Sequence, residues 1–468
     1  MSYIRFRKHY LHVPYLVLAG LEFGVLFAIF SLLTLFFSAL GVDHLPMKTD
    51  LVSGFLFALV LSCGTLAMGG YLAMVRETLA SLFFRTLIAY CFVGGIGLTI
   101  LYSILPSADP GSENLFWAVI LASITVILLR LAFLKIVDSD QIVRRVVIFG
   151  AGEFAASLLD EYSRNMQALG IRIIGCIADN SGNAVSQEKL LPTPSDLYRF
   201  CTQNKVSEIV VAQQERRRTE GGWLPVPELM ECKLRGIAVT SSVDFYEREL
   251  KKAKLELVHP SWIVFSEGFK ASKSRAFAKR LIDLIISLSL LVITLPFILL
   301  TAIAVFLETG RPILYSQNRV GFLGHEFRIY KFRSMRQDAE KDGKARWAMA
   351  NDNRVTRVGA FIRNTRLDEL PQLYNVIKGE MSIVGPRPER PEFVRELKEK
   401  IPFYDTRHYV KPGLMGWAQL KYPYGASIED AKGKLEYDLY YSKNHSLVMD
   451  FLIMIQTVEV ILLGKGVR

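Results

Sequence analysis

Two adjacent acids, Asp368 and Glu369, lie in the stretch Arg363 to Pro388, RNTRLDELPQLYNVIKGEMSIVGPRP. Leu370, Leu373, Tyr374 and Ile377 follow at i, i+3, i+4 and i+7, one face of a helix. Lys378-Gly379 reads as its end. Pro371 is tolerated only in a first turn, which predicts a helix start near Asp368. The two acids then stand at a helix N-terminus, where the dipole favours anions and phosphates bind. Neighbours on an α-helix point about 100° apart, so they are poorly placed as the facing carboxylates of a glycosidase. They suit a division of labour in which one attacks and one holds a metal. Lys331, Arg333, Arg357, Arg363, Arg366 and Arg387 lie around them in sequence, and Arg forks bind phosphate oxygens in bidentate fashion. A plain N-cap with a favourable first-turn acid fits the local pattern equally well. No Ser-His-Asp order, HExxH or GxxxxGK[ST] occurs, and His325, His408 and His445 are scattered.

The chain that must position these residues has 468 residues, 51% of them hydrophobic and only 22% charged, with mean hydropathy +0.26. That argues against a single soluble globular domain and suggests about three domains. The net charge of +11 resides in residues 270–468, and the remainder is neutral. In a membrane protein such a segment points to anionic lipid or a phosphorylated substrate before nucleic acid, which is not expected as a partner. The five cysteines avoid the basic part and form no CxxC, which excludes a Cys-rich zinc site or disulfide scaffold and suits a reducing cytosol.

Four apolar runs, Pro14–Leu40, Leu51–Val75, Thr86–Leu105 and Leu115–Leu134, each reach the roughly 20 residues of a spanning helix. The first is too long for a cleavable signal. Flanking charges run basic, poor, basic, poor, basic, which places both ends in the cytoplasm. Glu22, inside the first run, reads either as part of an ion pathway or as an interhelix contact. A fifth run, Leu281–Leu307, has Lys279 and Arg280 before it and Arg311, Arg319 and Arg328 after it. Basic flanks on both sides want both ends on one face, and Pro296 sits mid-run, where it kinks a helix. A broken helix that enters and leaves by the same face reconciles these; an ordinary kinked span is the alternative.

Residues 143–245 read as α/β. The strand RVVIF (145–149) leads into Gly150-Ala-Gly152-Glu-Phe-Ala, a helix to about residue 164, and a strand Ile171–Ile177 that ends at Asp179. A helix Ser195–Gln203 and a strand Val206–Ala212 follow. Strand, GxGxxA, helix, strand and acid is the dinucleotide-binding order, with Gly150, Gly152 and Asp179 as its contacts to NAD or another nucleotide. No Tyr-x-x-x-Lys dyad accompanies it, which counts against an epimerase or dehydratase working there.

The basic part resembles the polyprenyl-phosphate glycosyl-1-phosphate transferases, the bacterial sugar transferases of exopolysaccharide, capsule and O-antigen synthesis. The matching pieces are KRLID (279–283), KFRSM (331–335), RLDELPQL (366–373), GPRP (385–388) and KPGLMGWAQ (411–419). The whole architecture is similar to the large members with four spans and a nucleotide-fold module, closest to the exosortase-associated subgroup. The resemblance implies transfer of a sugar 1-phosphate from a UDP-sugar to undecaprenyl phosphate with release of UMP. Asp368 matches the nucleophile that forms a phosphosugar–aspartyl intermediate, and Glu369 matches the Mg²⁺ ligand. Lys331, Arg333, Arg363 and Arg387 match phosphate-contacting positions. Pro386 and Pro388 match the loop that shapes nucleotide binding, and Asp450 an acidic position near the site. The fifth run matches a re-entrant membrane helix broken at Pro296, with Lys279 and Arg280 at the lipid interface. A homodimer, and a bacterial inner-membrane location with cytoplasmic soluble domains, are implied as well. Two departures stand out: Leu295 where many relatives have Ser before the proline, and Lys411 in place of Arg. A non-enzymatic scaffold of polysaccharide export is the other reading, and the intact Lys331, Arg363, Asp368, Glu369 and Arg387 set counts against it.

The expected architecture is thus four transmembrane helices over 1–140, a Rossmann-like domain over 141–250, and a linker over 251–278. A re-entrant helix over 279–308 and a mostly α catalytic domain with interfacial helices over 309–468 complete it.

Overall fold

The computed structural model describes residues 3–6, 9–39, 47–68, 83, 85–106, 109–137, 144–163, 171–178, 184–213, 224–258, 260–266, 268–269, 272–336, 354–423, 425 and 427–462. The chain forms two compact units, Met1–Lys251 and Lys252–Arg468.

In the first unit the apolar runs fold as helices Val13–Ala39, Met47–Ala67 and Ser112–Val137, with a π-helical stretch Ile88–Gly94 leading into Gly95–Ile104. Their outward residues, such as Leu35, Ile104 and Leu128, are apolar and exposed, as lipid-facing helices require. Among the described residues four helices are long and apolar enough to cross a membrane: Leu16–Ala39, Arg85–Ile104, Ser112–Phe133 and Lys273–Thr309. The second expected span is helical over Met47–Ala67 with a shorter apolar stretch, Leu51–Leu66; residues 69–82 lie outside the described ones. Glu22 is fully buried and bonds Arg130 through both carboxylate oxygens, at 2.6 and 3.1 Å. Of its two readings the interhelix contact is the one observed.

The α/β part of this unit is a five-stranded parallel sheet in the order Leu190–Leu191, Ile171–Ile177, Arg144–Phe149, Glu208–Val211, Ala238–Ser241. The central strands are continuous apolar runs because helices cover both faces of such a sheet. Helix Glu153–Glu161 follows the first of them and Leu197–Gln203, capped by Asp196, precedes Glu208–Val211. Gly150 adopts φ +116°, and a Cβ there would lie 3.0 Å from the Ala212 carbonyl oxygen, so only glycine fits the strand-to-helix turn. Gly152 is the residue before the helix, and Asp179 lies outside the described residues.

The second unit is built on one 37-residue helix, Lys273–Thr309, which Ser272 caps and Gly310 ends. Pro296 lies inside it. The expected break is therefore a proline within a continuous helix: losing one N–H does not end a helix whose neighbouring bonds persist. An antiparallel pair, Leu314–Val320 with Glu326–Phe332, and a short parallel pair, Ser382–Val384 with Gly413–Met415, pack beside it. Helices Arg357–Asn364, Gln372–Lys378, Pro391–Lys400, Ile428–Asn444 and Leu447–Leu462 complete the unit. Leu373, Val376, Ile383, Tyr441 and Ile453 form its main core, with Ile286 and Leu290 of the long helix against them. Ala253, Leu255 and Val258, in the stretch expected to be a linker, pack on Leu435 and Leu439.

The membrane-proximal start of the long helix is locked to this core by polar bonds. Arg280 donates to the Val376 and Ile377 carbonyls, both at 2.6 Å, which satisfies the orphan end of helix Gln372–Lys378. Lys411 donates to Gly379 O at 2.8 Å. Asp283 Oδ1 accepts from Ser382 Oγ and Ile383 N, each at 3.0 Å.

Candidate active site

Asp368 and Glu369 sit in a 3₁₀ turn, Leu367–Glu369, and not in the first turn of the α-helix, which begins at Gln372 and ends as expected at Lys378-Gly379. Pro371 explains the shift. It lacks an N–H, so no bond to a carbonyl four residues back forms at that position; Leu370, itself in α geometry, and Leu373 and Tyr374 bond carbonyls three residues back. A 3₁₀ turn has 3.0 residues per turn, so neighbouring side chains diverge by about 120°. Arg366, just before the acids, has φ +61°, a left-handed conformation that costs a non-glycine residue roughly 1–2 kcal/mol. Such strain concentrates at functional sites.

Both acids are buried, each 7% exposed, yet their surroundings differ. Glu369 Oε1 receives Arg387 Nη2 at 2.8 Å and Lys331 Nζ at 3.0 Å, with Arg366 Nη1 at 3.9 Å. Those cations hold the Glu369 carboxyl well below its ordinary value despite burial. Asp368 makes no ion pair or side-chain hydrogen bond among the described residues. Burial raises its pKa, against the pull of Lys331. Burial also lowers Lys331, with Arg387 and Arg319 adding repulsion and Glu369 opposing them. The result is one acid neutralised by cations and a neighbour left unpaired within the same field.

Lys331 comes from the strand Glu326–Phe332, in register with Tyr315. Arg387 comes from the loop after Ser382–Val384, between Pro386 and Pro388. In that loop a Cβ on Gly385 would sit 2.2 Å from Lys411 O, so glycine permits the crossing of the two segments.

The other expected residues are placed elsewhere. Arg333 is buried, donates to Gly310 O at 3.0 Å, and leaves Nε and Nη1 without a bond. Arg363 lies on the helix Arg357–Asn364 with no side-chain partner among the described residues. Asp450 receives Lys279 Nζ at 2.7 Å and lies 2.7 Å from Tyr441 Oη, and Lys279 also reaches Val384 O at 3.2 Å. Lys279 and Arg280, expected at the lipid interface, thus spend their side chains on contacts within the unit. Sequence reading missed Arg319, Arg407 and Asp438 near the Arg387 loop. Nothing in their spacing marks them, because Arg407 reaches Arg387 from 20 residues away and Arg319 reaches Pro388 from 69.

A divalent cation fits the open oxygen of Glu369 rather than a cage of protein ligands. Glu369 Oε2 receives no hydrogen bond from the described residues and Asp368 stands free beside it, and Mg²⁺ is usually held by one or two carboxylates plus substrate phosphates.

Residues 274–464 match the model of the family described as bacterial sugar transferase, and residues 66–218 match one described as a CoA-binding domain. The chain is 42% identical over 240 residues to the UDP-N-acetylgalactosamine-undecaprenyl-phosphate N-acetylgalactosaminephosphotransferase of Aeromonas hydrophila, covering 51% of this chain and 56% of that protein. It is 31% identical over 324 residues to the UDP-glucose:undecaprenyl-phosphate glucose-1-phosphate transferase of Xanthomonas campestris pv. campestris, 67% of this chain and 66% of the relative. It is 40% identical over 194 residues to the exopolysaccharide production protein PSS of Rhizobium leguminosarum bv. phaseoli, 40% of this chain and 97% of the relative. The chain therefore belongs to the bacterial sugar transferase family. The match spans a little over half of the Aeromonas protein.

Proposed function

We propose that this chain transfers a sugar 1-phosphate from a UDP-sugar to undecaprenyl phosphate and releases UMP. The observation that carries this reading is the split between the two acids: Glu369 is held by Arg387 and Lys331 while Asp368 remains unpaired next to them. An Asp368 oxygen attacks the β-phosphorus, the bond to UMP breaks, and a phosphosugar–aspartate forms. An oxygen of the lipid phosphate then attacks that phosphorus and the Asp368 carboxylate leaves. Splitting the transfer in two keeps each step a simple displacement. Mg²⁺, held by Glu369 and the diphosphate, would supply charge neutralisation at phosphorus. Lys331 and Arg387 compensate the negative charge that develops on the phosphoryl oxygens.

A cytoplasmic UDP-sugar requires the site on the cytoplasmic face of the inner membrane. Entry and return by that face require the long helix, continuous through Pro296, to bend there in the membrane, and the terminal helix Leu447–Leu462, with Val448 and Phe451 exposed, lies along the lipid surface. The strand order of the α/β part supports a Rossmann-like module of structural or regulatory use, with NAD or another nucleotide at Gly150 and Gly152 as the ligand to look for by mass analysis. A homodimer and a place at the start of exopolysaccharide synthesis complete the reading. The Aeromonas relative, at 42% identity, makes an N-acetylhexosamine the first donor to try.

The test is UMP release by lipid-embedded protein given undecaprenyl phosphate, Mg²⁺ and UDP-GalNAc, UDP-GlcNAc, UDP-glucose or UDP-galactose in turn. Lipid-dependent release with one donor, absent in Asp368→Asn, is expected. Release that persists in Asp368→Asn would refute the assignment.

A further inference from the structure

From Pro386 to Glu389 the loop that carries Arg387 is held at each carbonyl. Pro386 O receives Gly413 N at 2.9 Å, Arg387 O receives Arg407 Nη2 at 2.8 Å, Pro388 O receives Arg319 Nη1 at 3.3 Å, and Glu389 O receives Val320 N at 2.9 Å. Prolines on both sides fix φ around Arg387 as well. Two of the four bonds come from backbone of neighbouring segments. The other two come from guanidinium groups, and only the Arg407 bond is short.

Arg407 is buried and its own surroundings are built to hold it. Nη2 also meets Asp438 Oδ2 at 2.8 Å, and Nη1 donates to Tyr404 Oη at 2.7 Å. Asp438 comes from helix Ile428–Asn444, is 2% exposed, and its Oδ1 has no hydrogen bond. Burying an arginine and an aspartate yields little net stability against a well-packed apolar pair, so stability alone does not account for this one. Among the described residues, the one hydrogen-bond acceptor outside the pair that Arg407 Nη2 reaches is the carbonyl of Arg387. Arg387 in turn reaches the buried Glu369 carboxylate from a side chain that is itself 37% exposed, so the backbone, not packing, must set its direction.

We propose that Arg407, anchored by Asp438, is a positioning residue that fixes the backbone of Arg387 and so keeps its guanidinium on Glu369 and on the substrate phosphates. The inference rests on the transfer reaction proposed above. It predicts that Arg407 acts through Arg387 and has little effect once Arg387 is gone.

The experiment is a double-mutant cycle on UMP release by the full chain in lipid particles. Arg407→Lys keeps the charge but cannot serve Asp438, Tyr404 and the carbonyl together. It is expected to lower kcat/KM by about tenfold or more, and Arg387→Ala by more. Adding Arg407→Lys to Arg387→Ala is expected to change the rate within about twofold. An equal loss in both backgrounds would mean a general structural role and would overturn the proposal. If Arg407→Lys unfolds, Asp438→Asn and Tyr404→Phe loosen the same guanidinium and take its place in the cycle. Hydrogen exchange of the 385–390 segment reads the same positioning without turnover. Its amides are expected to exchange about tenfold faster in Arg407→Lys or Asp438→Asn, and unchanged exchange in both overturns the proposal. A wild-type protein that releases no UMP counts against the reaction, and the exchange result then decides the positioning alone.

Discussion

Lys331 meets Glu369 at 3.0 Å, across from the strand Glu326–Phe332 to the turn that also carries Asp368. The same oxygen of Glu369 takes Arg387, and Asp368 takes neither. Two neighbouring carboxylates thus have opposite electrostatic fates, and opposite consequences for stability follow. A group whose folded pKa is depressed contributes stability above its unfolded pKa and loses it as pH falls, which is the case for Glu369. A carboxyl whose folded pKa is raised opposes folding once ionised, which is the case for Asp368. At neutral pH, Glu369→Gln is expected to destabilise the second unit by about 3 kcal/mol, because Lys331 and Arg387 lose their partner. Asp368→Asn is expected to leave the unfolding midpoint unchanged or higher while abolishing turnover. Thermal unfolding of both variants in lipid particles checks the pair of signs.

The pH profile offers a second check. The nucleophile must be ionised, and burial pushes the Asp368 pKa up, so activity is expected to fall on the acid side above the ordinary aspartate range. Lys331 opposes that rise. Lys331→Gln is therefore expected to move the acid limb of kcat/KM to higher pH as well as lower its plateau. A limb that stays in place or moves down would detach Lys331 from Asp368.

The long helix is expected to transmit its placement to the acids through Arg280. That guanidinium bonds two carbonyls, Val376 and Ile377, at the end of helix Gln372–Lys378, which starts three residues after Glu369. Arg280→Met leaves both carbonyls without this donor and is expected to cost about 2 kcal/mol of stability. UMP release should drop with it, and chemical denaturation of purified variants gives the first number.

Much of this architecture is legible from residue patterns, and the departures have physical causes. The apolar runs, the parallel strands 144–149 and 171–177, and the Lys378-Gly379 helix end follow from local periodicity and turn chemistry. The 3₁₀ turn under Asp368 does not, because the missing N–H of Pro371 interrupts the backbone hydrogen-bond ladder, which side-chain spacing does not register. Basic residues gathered by sequence proximity separate in space: Arg387 joins Glu369, whereas Arg333 turns to Gly310. Contacts such as Arg407 with Arg387 and Lys279 with Asp450 join residues 20 and 171 apart, and no local pattern encodes those partners.

The buried pair in the helical part makes a prediction independent of the chemistry. Arg130→Met strands the Glu22 carboxylate in an apolar interior and is expected to cost about 3–5 kcal/mol. Glu22→Gln added to it should recover most of the loss, as read from detergent-stability midpoints.

In the proposed reaction Asp368 becomes covalently linked to the phosphosugar before the lipid enters. Exchange of labelled UMP into the UDP-sugar in the absence of any polyprenyl phosphate tests it most directly. Exchange that requires Mg²⁺ is expected, together with a protein adduct of one sugar phosphate at Asp368 by intact and peptide mass. UMP exchange that is absent without lipid, from a protein that turns over normally with it, would contradict the account and point to direct transfer between the two substrates.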